Sequence, residues 1–262
     1  MSVTIEGSVR LERSGGKSVA INTNMDMIRP GGELSTRPLH FIWIADCSTS
    51  MKNNGKMEAL NTAIRSAIPH MTRVAEENPN ADVMVRAISF ASGANWHIQD
   101  PTHIDDFQWK DLSPSGITDM GKAFDLLSEE LRMPPMDERA LPPVLVLVTD
   151  GQPTDDYKKS LDAMMKLPWG KKAVRLGIAI GRAANERVLK EFIDNDEIKV
   201  LRADNAEELV EYIKWVSTVV LKAASSPASQ TEDLADTSAN VIIPDIPNDF
   251  WDDEDISVED VW

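Results

Sequence analysis

Only one cysteine, Cys47, occurs in 262 residues. No disulfide can therefore close within the chain, and a reducing compartment suits it. No apolar run approaches the roughly 18 residues needed to span a bilayer. The opening residues, Met1 to Glu6, lack both a basic start and an apolar core, so a secretory leader is not expected and cytoplasmic residence is. A Gly-x-x-x-x-Gly-Lys-Ser/Thr segment is missing, which excludes a P-loop. His40, His70, His97 and His103 fall into no His-x-x-x-His or Cys/His spacing, so neither a soft-metal centre nor a catalytic histidine is expected. Basic residues are scarce as well, and the net charge is −16. Residues 1–38 hold five basic and four acidic side chains, residues 39–222 hold 22 and 28, and residues 223–262 hold none and 11. An acidic body with an acidic tail is repelled by phosphate backbones and anionic lipid, so no nucleic acid and no membrane partner is expected.

The sequence has the 42% hydrophobic and 27% charged content of a globular protein with one large α/β domain and appendages. Val3, Ile5, Val9 and Leu11 alternate, Ser14-Gly15-Gly16-Lys17 signals a turn, and Val19 and Ile21 resume the alternation, which reads as a β-hairpin within an N-terminal extension over 1–38. The central domain is expected over 39–223. A buried strand, Leu39 to Ala45, leads into a polar loop. A helical stripe follows through Met57, Leu60, Ile64, Ala67, Ile68, Met71 and Val74, with Pro69 expected to kink it. Val83 to Phe90 and Trp96 to Ile98 read as a strand pair, the second an antiparallel edge. Met120, Ala123, Phe124, Leu127 and Leu131 form a second helical stripe. Val144 to Thr149 is a strand buried on both faces. Beyond it the spacing predicts a helix near Asp156 to Lys166, a strand Val174 to Ile180, a helix near Asn185 to Ile193, a short strand Lys199 to Leu201, and a last helix from Asn205 with Glu208 completing a capping-box-like pair. Strands alternating with helices give a doubly wound, mostly parallel sheet flanked by helices.

Chemistry concentrates where strands end. Asp46-Cys47-Ser48-Thr49-Ser50 follows the first buried strand and offers a carboxylate and two hydroxyls. Such hard oxygens suit Mg²⁺, Mn²⁺ or Ca²⁺ rather than zinc or copper. Period-two spacing in an extended loop would aim all three side chains the same way. The plainer reading of this stretch is a helix cap and a polar turn. Thr118, just before the second helical stripe, adds a hydroxyl at a loop-to-helix junction. Asp150, after the strand ending at Thr149, adds a second carboxylate. Ligands of open α/β sheets bind in the crevice at the carboxyl ends of the strands, where such loops can converge. Cys47, lying between these residues, invites a redox-sensor reading against the simpler one of a small buried side chain.

In these features the chain resembles the von Willebrand factor A (vWA) family and its metal-ion-dependent adhesion site. The Asp-x-Ser-x-Ser motif, the distant Thr and the distant Asp correspond to Asp46, Ser48, Ser50, Thr118 and Asp150. Within the family, the Ser-Met ending of the first motif, Ser-Gly-Ile-Thr-Asp-Met-Gly and Thr-Asp-Gly-Gln-Pro-Thr-Asp are most similar to the bacterial tellurite-resistance TerY group. The resemblance implies that Asp46, Ser48 and Ser50 ligate Mg²⁺ or a similar ion, that Thr118 joins in one conformational state, and that Asp150 often acts through a water. It implies an open coordination position for a partner's Asp or Glu. The TerY likeness further implies a stress or tellurite-resistance complex with a protein kinase and a PP2C-type phosphatase. The function expected is therefore non-catalytic, metal-dependent protein binding.

Haloacid-dehalogenase-type phosphohydrolases, the enzyme alternative, also begin with an Asp after a buried strand. They carry a second acid two residues later, where this chain has Ser48, so the group that would protonate a leaving oxygen is missing. The acidic tail over 224–262 is too polar to build a core of its own. Phe250, Trp251 and Trp262 stand there among Asp252, Asp253, Glu254 and Asp255, an arrangement of aromatic anchors and steering charges expected to dock on a partner. One of those carboxylates is alternatively expected to occupy the metal position of this chain or of a neighbour.

Overall fold

The computed structural model describes residues 36–225, apart from 79 and 183. The hairpin expected near the amino terminus and the aromatic-acidic tail lie outside the described residues. Six strands form one sheet in the order β3-β2-β1-β4-β5-β6. These are β1 (Arg37–Asp46), β2 (Ala81–Ala91), β3 (Gly93–His103), β4 (Val144–Thr149), β5 (Val174–Ile180) and β6 (Leu201–Ala203). Every pairing is parallel except that of β2 with the edge strand β3. The β2–β3 ladder shifts register between Val85 and Ala87 and again between Ala87 and Ile88. β4 and β5 are buried along their whole lengths, which is why both are mostly apolar rather than alternating, Arg175 in β5 apart.

Helices cover both faces. On one side, α1 (Lys56–Glu76) and α6 (Ala206–Trp215) pack over Leu39, Phe41, Trp43, Val146 and Ile178. On the other, α2 (Met120–Glu130), α3 (Tyr157–Met165), α4 (Pro168–Lys172) and α5 (Glu186–Ile193) pack over Ile42, Ile44, Leu145 and Leu147. This is the doubly wound α/β architecture expected. Among the described residues, no helix is long and apolar enough to cross a membrane.

Local differences from the expectations are instructive. α1 continues through Pro69 to Glu76, because packing of its apolar face outweighs one missing N–H. β6 begins at Leu201 rather than Lys199. Past α6, one π-helical turn over Val216–Val220 leads into α7 (Leu221–Ala224). Asn205 caps α6 by accepting from the Glu208 N–H at 2.8 Å, while the Glu208 carboxylate reaches back to the Asp204 N–H at 2.7 Å, one residue earlier than in the usual capping box.

The connectivity fixes where a ligand would go. From β1 the chain winds outward to β2 and β3, then returns to lay β4 on the other side of β1. The loops leaving β1 and β4 therefore diverge over helices on opposite faces, and a crevice opens between them at the carboxyl end of the sheet.

Candidate metal centre

Asp46 is the last residue of β1 and Asp150 the first after β4, so both carboxylates border that crevice, and both are buried. Asp46 accepts the Ser48 backbone N–H through Oδ1 at 2.7 Å and the Thr149 hydroxyl through Oδ2 at 2.5 Å. The first bond folds the chain back on itself. Residues Thr49–Gly55 then form a 3₁₀ turn, with Met51 N–H donating to the Ser48 carbonyl at 3.0 Å.

The extended loop expected from the motif spacing is therefore corrected. Ser48 is extended, but Ser50 lies within the turn, and it is the turn that brings the two hydroxyls to 2.8 Å. Ser50 donates to Asp150 Oδ1 at 2.6 Å, which leaves Ser48 as donor within the serine pair. Asp46, Ser48, Ser50 and Asp150 are thereby joined in one hydrogen-bonded cluster.

Thr118 faces the same point. It precedes Asp119, the N-cap of α2. A Cβ added at Gly151 would lie 3.5 Å from Thr118 Oγ1, 3.7 Å from Asp46 Oδ2 and 3.7 Å from Ser50 Oγ. Gly151 thus leaves a small space walled by oxygens from three separate segments. Among the described residues no three His, Cys, Asp or Glu side chains gather as a metal cluster, so hydroxyls have to complete any coordination shell at this point. One carboxylate and two hydroxyls border that space, and Ser48 and Asp150 join it through their hydrogen bonds to Ser50, a donor set that fits a hard dication.

The loop carrying Thr118 is strapped down along its length. Asn61 on α1 donates to the Leu112 carbonyl at 3.0 Å and accepts from Leu112 N–H at 2.9 Å and Trp109 Nε1 at 3.0 Å. Ser115 N–H donates to the Cys47 carbonyl at 2.7 Å, and Thr49 donates to the Gly116 carbonyl through both its N–H, at 3.1 Å, and its hydroxyl, at 2.7 Å. Gly116 has φ +74°, and a Cβ there would stand 2.4 Å from Ser92 Oγ. Thr154 accepts from Thr118 N–H at 3.1 Å and returns its own N–H to the Thr118 carbonyl at 2.9 Å. Asp155 accepts from Gly121 N–H at 3.0 Å and Lys122 N–H at 3.2 Å, supplying the cap that the first turn of α2 needs.

Burial raises the Asp46 carboxyl above its ordinary value, opposed by the hydrogen bonds from Thr149 and Ser48, and the charge of Asp150 pushes it the same way as burial. Cys47 is buried, and its thiol is pushed up to about 12, first by burial and then by Asp46. Its burial favours the reading of a small packed side chain over that of a redox sensor. His97 pairs with the Lys110 carbonyl and His103 with Asp82 and Asp105.

Sequence reasoning overlooked two groups in the centre. Thr149 was visible as the last residue of the β4 run, one position before Asp150. Lys56, whose ammonium meets Asp150 Oδ2 at 2.7 Å, gave no signal, because its partner lies 94 residues away.

No protein-family model matches the chain, and no curated protein matches it in sequence. Solved structures do match. The ArnB paralog VWA2 from Sulfolobus acidocaldarius is similar over 68% of this chain and 45% of its own, with a TM-score of 0.52 at 17% identity. A von Willebrand factor type A protein from Catenulispora acidiphila is similar over 72% and 43%, with a TM-score of 0.54 at 17% identity. Proximal thread matrix protein 1 from the mussel byssus, in a form with a zinc-occupied MIDAS motif, is similar over 72% and 48%, with a TM-score of 0.52 at 14% identity. The chain spans less than half the length of each of these proteins. At such identities the likeness concerns the fold, which is that of a vWA domain.

Proposed function

We propose that the chain is a non-catalytic module that binds a protein partner through a divalent cation held by Asp46, Ser48, Ser50, Thr118 and Asp150. What supports this reading is that Asp46, Ser50 and Thr118 border the space beside Gly151 and that Ser48 and Asp150 are hydrogen-bonded to Ser50, at the switch point of the sheet. A dication bound there would supply the Lewis acidity that grips a partner's Asp or Glu. The chain's own part is to hold its oxygens ready. Thr149 and the Ser48 N–H fix the Asp46 carboxylate, and Asp150 takes the Ser50 proton so that a Ser50 lone pair stays available. Mg²⁺ is the preferred ion on the oxygen donor set, with Mn²⁺ or Ca²⁺ next. The zinc in the byssus protein's MIDAS motif makes zinc a fourth candidate.

The non-catalytic reading is supported by the group two residues after Asp46, a serine bonded to another serine rather than an acid. Likeness of the quoted motifs to the TerY group extends the proposal to a cytoplasmic, bacterial stress or tellurite-resistance assembly containing a protein kinase and a PP2C-type phosphatase. In that assembly residues 39–223 carry the metal-dependent surface. The tail over 224–262 docks on the partner through Phe250, Trp251 and Trp262, or lends a carboxylate from Asp252 to Asp255 to the metal.

Calorimetric titration of Mn²⁺ and Mg²⁺ into the full chain tests the core of the proposal. Saturable one-site binding is expected, and it is lost in Asp46→Ala. Wild-type protein that takes up neither ion sinks the reading, as does phosphatase or ATPase turnover that vanishes in Asp46→Ala. Capture of a partner by full-length but not tail-deleted bait supports docking by the tail. Tighter capture of an acidic partner after the deletion supports self-occupancy.

A further inference from the structure

Lys56 opens α1 and is only 9% exposed, a rare position for an ammonium unless it is paired. Its Nζ donates to Asp150 Oδ2 at 2.7 Å, while Asp150 Oδ1 takes the Ser50 hydroxyl at 2.6 Å. The two oxygens of one carboxylate are therefore divided, one toward the hydroxyl cluster and one toward a fixed cation. The turn after β5 passes beside the lysine. Gly181 has φ +76°, and a Cβ there would lie 3.5 Å from both Cε and Nζ of Lys56. Asn54 and Gly55, both at positive φ, turn the chain into α1 and aim its first side chain under the centre.

Resting on the metal-site reading above, we propose that Lys56 is a built-in countercharge that divides the centre's affinity between its cation and the carboxylate that the cation recruits. The charge count gives the sign. Asp46 and Asp150 contribute two negative charges and Lys56 one positive, so a dication leaves the loaded centre at +1. Without the lysine the same ion would leave it neutral. The ammonium therefore loosens the hold on the cation and tightens the hold on an incoming anion. It also engages Asp150 Oδ2, so that Asp150 faces the cluster through Oδ1, which takes the Ser50 hydroxyl. Before any ion binds, the ammonium compensates one of two buried like charges, an arrangement otherwise costly to fold.

The test uses the full chain, with Mn²⁺ alone and then acetate as probes. Lys56→Met removes the charge at similar length, and Lys56→Arg keeps it. Free Mn²⁺ is read by electron paramagnetic resonance. Lys56→Met is expected to bind Mn²⁺ roughly tenfold more tightly, as repulsion over a few ångströms at an effective dielectric near 20 allows. Lys56→Arg should stay within about threefold of wild type. Acetate added to the Mn²⁺-loaded protein and followed by water-proton relaxation should bind several-fold more weakly to Lys56→Met. In chelator, the unfolding temperature of that variant should drop and Mn²⁺ should restore it.

Unchanged or weaker Mn²⁺ binding by folded Lys56→Met overturns the countercharge role while leaving the metal site standing. Wild-type protein that binds no Mn²⁺ removes the site itself. Should Lys56→Met not fold, Lys56→Gln, which keeps a donor to Asp150 without its charge, carries the same comparison.

Discussion

At the amino end of the sheet arginine side chains close backbone carbonyls, whereas at the carboxyl end two carboxylates bond to the hydroxyls around them. Arg37 gives its guanidinium to the Arg139 and Ala140 carbonyls at 2.7 and 3.1 Å. Arg175, at the start of β5, closes the Gly170 carbonyl at 2.6 Å and the Phe192 and Ile193 carbonyls at 2.8 and 3.3 Å. Asn78 holds the Ser225 carbonyl at 3.2 Å and its hydroxyl at 2.5 Å. These contacts use neutral acceptors to finish main-chain ends, so losing one leaves orphaned carbonyls. The carboxyl end instead brings two carboxylates into a buried cluster, where Asp46 is raised by burial and by Asp150. Lys56 compensates one of those charges, and a buried charge cluster of this kind adds little to folding. The same sheet thus has one end tied through main-chain carbonyls and one end carrying a buried polar cluster.

Mutations should separate the two ends. The largest effect is expected from Arg175→Met, which leaves the Gly170, Phe192 and Ile193 carbonyls without their buried donor and should cost about 2–3 kcal/mol. Denaturant unfolding measures that cost, and Mn²⁺ affinity should not move. A matching loss of metal binding would break the division. Gly151→Ala is the converse. Its methyl meets three site oxygens at ordinary contact distance, so the fold should tolerate it while Mn²⁺ affinity falls roughly tenfold, about 1.4 kcal/mol. Calorimetry checks this, and undiminished affinity would mean that the ion sits elsewhere.

The smallest effect is expected at His40 on β1, whose imidazole is lowered from its ordinary 6.5, first by burial and then by Arg86. The folded state prefers neutral His40. Stability from this group is complete above about 6.5 and is lost as pH falls below it, because the unfolded chain then binds the proton first. Chemical denaturation between pH 7.5 and 5 should show that loss, and His40→Phe should flatten it.

Much of this was legible beforehand for identifiable reasons. β4 and β5 begin and end where expected, because strands buried on both faces are dominated by apolar residues, with Arg175 the one charged exception in β5. β6 was displaced because three residues at an edge are too few to display a period. α4 and the π turn were missed since five-residue elements are decided by packing rather than pattern. Asp46 and Asp150 were readable because each directly follows an apolar run. The turn that joins Ser48 to Ser50 was not, because it depends on the Asp46 side chain folding the backbone over itself. Lys56 was invisible for a different reason: a lysine at a helix start looks solvated unless its distant carboxylate is known.

The sheet's flanks bear on how copies of this chain can meet. An open strand edge is a template for runaway pairing. β3 spoils that template with two slips in its ladder and with Pro101, which has no N–H to offer. β6, at the opposite flank, is only three residues long. Among the described residues, lateral zippering into fibrils or swapped sheets is therefore discouraged on both sides.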